Sequence, residues 1–186
     1  MISKQLLLGK SQMEPLEIEI KVKINDINYI NNILQNIIKA DFIKEKQQKD
    51  IYYKHQVKQE LLGKTTYLRV REEGNKKSIA MHYRKDSKLG DWVELETEIE
   101  KPEIIKQIFN NLNFKIDAVV NKTRKVYKKD ETEFDIDYIE NLGYFLEIEA
   151  NTKENLLKYI QLFNLTQKQI DEFDNIAYVD MIKKVK

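Results

Sequence analysis

Hydrophobic and charged residues alternate without interruption in the segment EIEIKVKI at 17–24, where isoleucine or valine fills every even position. Successive side chains of an extended strand point to opposite faces, so this segment predicts a strand with one apolar and one charged face. Similar alternation predicts strands at 15–24, 49–55, 65–73, 77–85, 92–100, 118–128, 132–138 and 143–150. Hairpin connections are predicted at Gly74-Asn75 and at 128–131.

Helical spacing of apolar residues appears in the segments between these strands. In 27–38, isoleucine and leucine recur every three or four residues after Asn25 and Asp26, which suit a helix N-terminus. A second helix is predicted from Pro102, and helical patterns return in 154–163 and near the C-terminus. The runs of consecutive strands favour an α+β fold with a largely antiparallel sheet.

The composition restricts the chemistry that the protein can perform. Lys and Arg number 32 against 31 Asp and Glu, so the net charge of +1 argues against a broadly basic nucleic-acid surface. The chain has no cysteine, which excludes thiolate nucleophiles and cysteine-ligated zinc. With only His55 and His82, a metal site would need carboxylate ligands, which suit Mg²⁺, Mn²⁺ or Ca²⁺.

The N-terminal segment MISKQLLLGK contains an apolar run of only three leucines, too short for a signal-peptide core or a membrane span. Met13 directly precedes the first alternating segment. We therefore expect a flexible extension over residues 1–13 and a single domain over 14–186. The expected location is cytoplasmic, without a membrane or nucleic-acid partner.

Charged residues of like sign occur as i, i+2 pairs on nearly every predicted strand. A solvated face explains any single pair, but adjacent like charges cost a fraction of a kcal/mol, and the cost recurs along the chain. A sheet curled with its charged face inward would gather these side chains around a polyanion and divalent cations, with helices covering the apolar outer face. The pairs are Glu17/Glu19, Lys21/Lys23, Arg69/Arg71, Glu94/Glu96, Lys122/Arg124, Asp135/Asp137 and Glu147/Glu149.

Six segments, taken in order, resemble the CYTH superfamily and its class IV adenylyl cyclase-like branch. The first is the ExExK motif of Glu17, Glu19 and Lys21, and the others are QKDIYY, YLRVRE, WVELETEI, NKTRKVY and LGYFLEIEA. ExExK alone is a weak signal, whereas six segments in sequence order are specific. The resemblance implies a closed antiparallel eight-stranded β-barrel, the triphosphate tunnel, with helices packed outside.

The resemblance also implies roles for individual residues, with Mg²⁺ or Mn²⁺ as the cofactor. Lys21, Glu19 and Arg124 are the implied catalytic residues. The implied triphosphate contacts are Lys21, Lys23, Arg69, Arg71, Arg84, Lys122 and Arg124, of which Arg84 stands where the family commonly has lysine. The implied metal ligands are Glu17, Glu19, Glu94, Glu96, Asp135, Asp137, Glu147 and Glu149.

The implied reaction is cyclisation of ATP to cyclic AMP and pyrophosphate. Some cyclases of this branch carry His-Phe just before the ExExK motif, whereas Ser11-Gln12 occupy that region here. A triphosphatase acting on inorganic triphosphate, thiamine triphosphate or a nucleoside triphosphate is therefore the alternative. A non-catalytic nucleotide or polyphosphate sensor ranks third, because such a sensor would have lost the carboxylates. The expected partner is ATP or tripolyphosphate, and the expected state is a monomer or homodimer.

Overall fold

The computed structural model describes residues 16–55, 66–84, 91–173 and 176–185. The predicted extension at 1–13 and the strand ends predicted at 15, 65 and 85 lie outside these residues. Backbone alone is described at 16–17, 84 and 91–92, so the side chains of Glu17 and Arg84 also lie outside the description.

Eight antiparallel strands form one strongly curled sheet. They are β1 (Leu16–Ile24), β2 (Asp41–His55), β3 (Tyr67–Glu73), β4 (Lys76–Arg84), β5 (Asp91–Glu98), β6 (Phe114–Lys129), β7 (Thr132–Ile139) and β8 (Gly143–Ala150). The order across the sheet is β1-β5-β4-β3-β2-β6-β7-β8. The α+β class and the eight-stranded antiparallel sheet are confirmed. Closure into a full barrel depends on a short contact, since β1 pairs with β8 over seven residues but with β5 over three.

Two strands extend further than the alternation predicts. β2 begins at Asp41 rather than at 49, and β6 begins at Phe114 rather than at 118. The added part of β2 is mostly exposed, and its register with β6 shifts between Phe42 and Lys44. An exposed, irregular strand segment buries neither face, so its apolar and polar residues do not have to alternate. The sequence pattern therefore does not predict this part of the strand.

Five α-helices occur in the described part of the chain: α1 (Ile27–Asn32), α2 (Pro102–Asn111), α3 (Lys153–Leu162), α4 (Gln167–Phe173) and α5 (Tyr178–Lys184). The Asp26 carboxylate accepts hydrogen bonds from the backbone N–H groups of Asn28 (2.9 Å) and Tyr29 (3.1 Å), which confirms the predicted cap. The helix predicted over 27–38 is α-helical only to Asn32 and continues as a π-helical segment, Ile33–Ile38.

The apolar face of the sheet points outward and is covered by helices, as the alternation predicts. Ile20 and Val22 of β1 are buried in one core with Phe134 of β7, Leu146 of β8 and residues of α1, the π-helical segment, α3 and α4. Burial of each such side chain contributes roughly 1.5–3 kcal/mol as an upper estimate. Behind this outer core, charged side chains of β1, β6, β7 and β8 face inward.

The helices in the described part of the chain all lack the length and apolar character needed to cross a bilayer.

Candidate functional site

A cavity of about 130 Å³ lies inside the curled sheet, lined by side chains from all eight strands and from the start of α5. Ten of the predicted site residues line it: Glu19, Lys21, Arg69, Arg71, Glu94, Lys122, Arg124, Asp135, Glu147 and Glu149. The sequence interpretation missed Glu133, and it did not assign a site role to Tyr67 or Tyr178, which also line the cavity. Tyr178 lies in the C-terminal helical region, where no charged alternation marked it.

Three predicted site residues with described side chains do not line the cavity. Lys23 is exposed, and Glu96 is also exposed although one of its oxygens lies 3.4 Å from Arg69 Nη2. Asp137 is fully buried, with 0% of its surface exposed. The predicted contacts of Glu17 and Arg84 lie outside the described side chains.

Arg124 is the centre of the ionic network on β6, β7 and β8. Its guanidinium contacts the carboxylates of Asp135, Asp137 and Glu147, with Nε and Nη2 each 2.6 Å from an oxygen of Asp137. Lys122 Nζ lies 2.9 Å from the same Asp137. Burial alone would raise the pKa of Asp137, but the charges of Arg124 and Lys122 hold it well below the usual range. Both oxygens of Asp137 are thus committed to bases, so it acts as an internal counter-ion.

A second ionic group joins β3, β4 and β5. Glu94 Oε1 lies 2.6 Å from Arg69 Nη2 and 2.9 Å from His82 Nε2. Burial opposes ionisation of Glu94, but the hydrogen bond with His82 and the charge of Arg69 hold its pKa well below normal. Burial and then Arg69 lower the pKa of His82. The His82 ring also lies at the cavity wall.

Comparison with known proteins supports the resemblance seen in the sequence. The model of the CYTH domain family matches residues 15–176. The chain belongs to the CYTH domain family. A Methanocaldococcus jannaschii protein named "putative adenylate cyclase" is 32% identical over 165 residues, which cover 83% of this chain and 93% of that protein.

Solved structures share the fold of this CYTH domain. A Pyrococcus horikoshii protein matches with a TM-score of 0.74 and 25% identity, covering 88% of this chain and 97% of its own. A Hippeastrum protein matches with a TM-score of 0.61 and 16% identity, covering 88% and 99%. The latter is described as a "putative adenylyl cyclase" with a dominant triphosphatase activity.

The wall of the CYTH cavity formed by β1, β8 and β7 is rich in carboxyl groups. Glu19 is opposite Glu149 in the strand register, and Glu149 is opposite Glu133. Burial and the neighbouring Glu147 raise the pKa of Glu19 to about 8. Burial likewise raises the pKa of Asp135 to about 7, and its buried Oδ1 has no hydrogen-bond partner among the described residues. These carboxylates therefore lack sufficient positive charge from the chain itself.

Such oxygen donors fit a hard divalent cation such as Mg²⁺ or Mn²⁺. Within the described residues, however, no three Asp, Glu or His side chains converge closely enough to hold a metal by themselves. The predicted eight-ligand set is therefore not a preassembled metal centre in this part of the CYTH domain. Mg²⁺ is commonly held by one or two carboxylates together with substrate phosphates and water. Glu19, Glu149 and Asp135 line the cavity and are the candidate carboxylates for such a site.

For the metal-free CYTH domain, we expect the free energy of unfolding to fall as the pH rises from about 5 to about 8. The pKa of Glu19 is about 8 in the folded protein against an ordinary value of 4.5. Between these values the folded protein keeps a proton that the unfolded chain releases, so removing protons favours unfolding. Urea denaturation in EDTA across this range measures the slope.

The matched variant for this pH measurement is Glu19→Gln, which cannot ionise at that position. It should flatten the slope but not remove it, because Asp135 titrates in the same direction with a pKa of about 7. An unchanged slope in Glu19→Gln would show that Glu19 is not the titrating group.

Proposed function

We propose that this protein is a divalent-metal-dependent enzyme that acts on a triphosphate inside a tunnel closed by the β1–β5 pairing. The observation that supports this most strongly is the composition of the cavity wall. Five bases line a space that also contains buried carboxylates without enough cationic partners. A metal–triphosphate complex has both kinds of charge that such a wall requires.

The proposed phosphate contacts are the five cavity bases, Lys21, Arg69, Arg71, Lys122 and Arg124. Of these, Lys21 has no carboxylate within ion-pair distance of its Nζ among the described residues. Its Nζ instead lies 4.7 Å from the centre of the Tyr178 ring, which is the geometry of a cation–π contact. Lys21 therefore has a positive charge available for a phosphate oxygen without breaking an internal ion pair.

The proposed reaction is of the adenylyl cyclase type, in keeping with the name of the Methanocaldococcus relative. The ribose 3′ hydroxyl oxygen of ATP would attack the α-phosphorus and release its proton to solvent. The bond from the α-phosphorus to the α–β bridging oxygen would break, and pyrophosphate would leave. A bound divalent cation lowers the pKa of an attacking oxygen and neutralises phosphate charge. The cavity bases would hold the β- and γ-phosphates in place and neutralise the charge on the leaving pyrophosphate.

Triphosphate hydrolysis is the second candidate, and the size of the cavity favours it. Sites for drug-sized ligands commonly have volumes of about 300–1,000 Å³, whereas this cavity has about 130 Å³. Its charged lining would accommodate phosphate groups, while a nucleoside would have to extend beyond it. The dominant triphosphatase activity of the Hippeastrum protein is consistent with this alternative.

The deciding experiment is incubation with ATP, tripolyphosphate and thiamine triphosphate, each with Mn²⁺, followed by identification of the products. Cyclic AMP with pyrophosphate would establish the cyclase, and orthophosphate release would establish the hydrolase. Tight binding without product would identify a sensor and contradict the enzyme proposal. Turnover should cease in EDTA, and unchanged turnover there would contradict the metal requirement.

A further inference from the structure

We propose that Asp50 is a positioning residue that fixes the orientation of Arg71 toward the triphosphate. This inference rests on the proposed function, because it takes the cavity ligand to be a polyanion. The sequence interpretation assigned no role to Asp50, which lies in the segment KDIYYKH without a like-charged neighbour two residues away.

Asp50 and Arg71 face each other directly across β2 and β3. Arg71 Nε lies 2.7 Å from Asp50 Oδ1, and Arg71 Nη2 lies 2.8 Å from Asp50 Oδ2. Two parallel hydrogen bonds to one carboxylate fix the plane of a guanidinium group as well as its position. Because Asp50 takes the Nε–H and one N–H of Nη2, the two N–H groups of Nη1 and the second N–H of Nη2 are left for a ligand.

The two members of this pair differ in their access to the cavity. Arg71 lines it, whereas Asp50 does not and is only 1% exposed. Burial opposes ionisation of Asp50, but the hydrogen bonds and charge of Arg71 hold its pKa well below the usual range. Asp50 therefore has no direct contact with a bound phosphate, and its hydrogen bonds link it to the cavity through Arg71.

The arrangement at Arg71 also differs from that at Arg124. Arg124 is surrounded by three carboxylates, Asp135, Asp137 and Glu147. A single carboxylate, that of Asp50, engages Arg71 in the described part of the chain. One bidentate partner orients the guanidinium and balances a single charge. Arg71 therefore attracts an anion more strongly than Arg124, whose single positive charge is shared among three carboxylates.

The test compares the affinities of Asp50→Asn, Arg71→Gln and the double variant for imidotriphosphate with Mg²⁺. The P–N–P bridges of this probe resist hydrolysis, so calorimetry measures binding alone. Asparagine can accept only one of the two hydrogen bonds, so Asp50→Asn should raise the Kd about tenfold, as expected for loss of a hydrogen bond to a charged group. The double variant should bind as weakly as Arg71→Gln and no more weakly.

Glu73→Gln is the matched control, because Glu73 is an acid of β3 that contacts Lys46 and Gln48 rather than Arg71. It should leave the Kd within about twofold of the wild-type value, the ordinary range for a surface substitution. A second measurement on the wild-type protein does not depend on variants folding. The Arg71 Nε–H proton should exchange slowly with solvent, before and after imidotriphosphate binds, in ¹⁵N NMR.

Wild-type affinity in a folded Asp50→Asn protein would overturn the inference and leave the proposed function standing. Additive losses in the double variant, an equal loss in Glu73→Gln, or rapid exchange of the Arg71 Nε–H proton would overturn it as well. Failure of the wild-type protein to bind imidotriphosphate would overturn the proposed function and the inference together.

Discussion

Replacing Lys21 by alanine is expected to abolish turnover of the triphosphate while the protein remains folded. Lys21 lines the cavity without an ion-pair partner among the described residues. Its removal therefore takes away a positive charge that faces the substrate, and no carboxylate loses an ion-pair partner. Loss of one such stabilising group typically costs about 10²–10³-fold in kcat. Initial rates with Mn²⁺ measure the loss, and circular dichroism establishes whether the variant is folded.

Lys23→Ala provides the comparison on the same strand. Lys23 is exposed and does not line the cavity, although the family resemblance implies a phosphate contact for it. We expect this variant to keep activity within a few-fold of the wild-type rate. Equal losses in both variants would favour the sequence-based assignment over the observed geometry. An unfolded Lys21→Ala protein would instead indicate a structural role for Lys21.

Arg124→Met is expected to lower the free energy of unfolding by roughly 3–5 kcal/mol, the typical effect of removing one partner from a buried ionic network. Arg124 is in contact with Asp135, Asp137 and Glu147, and Asp137 has no exposed surface. Methionine would leave these carboxylates with only Lys122 as a bonded base in the network. Urea denaturation at neutral pH measures the change.

Lys125→Met is the control for Arg124→Met, because Lys125 is the next residue of β6 but is exposed and lies 3.7 Å from Glu45. It should change the free energy of unfolding by no more than about 0.5 kcal/mol. An Arg124→Met protein with wild-type stability and no activity would show that Arg124 serves only the ligand. The same protein with a stability loss would assign Arg124 to both the fold and the site.

Much of the fold follows from alternation in the sequence. Strands that are apolar on one face, such as β1 and β8, must bury that face, and here they do so under α1, α3 and α4. The same alternation marked the Glu19/Lys21 and Glu147/Glu149 positions as a shared charged face. Alternation did not predict the start of β2. That part of the strand is exposed and its register with β6 shifts, so apolar and polar residues do not have to alternate there.

The site was predicted less completely than the fold. Like-charged pairs identified ten residues that do line the cavity, but Asp50 has no like-charged residue two positions away and therefore gave no such signal. Its role depends on Arg71, which is 21 residues away in sequence and directly opposite in the sheet. The sequence likewise gave no indication that Tyr178 lines the cavity. Its contact with Lys21 joins residues from opposite ends of the chain and depends on where α5 packs.

The sequence by itself determined which face of each strand is charged, because side-chain direction in a strand depends only on local backbone geometry. The tertiary structure alone decided how these charges are shared. Asp137 is the counter-ion of Lys122 and Arg124, whose charges lower its pKa. For Glu19 and Asp135, burial outweighs the nearby positive charges and raises their pKa values. Coulomb energies vary with distance and burial, and both are fixed only when β1, β6, β7 and β8 come together in the curled sheet.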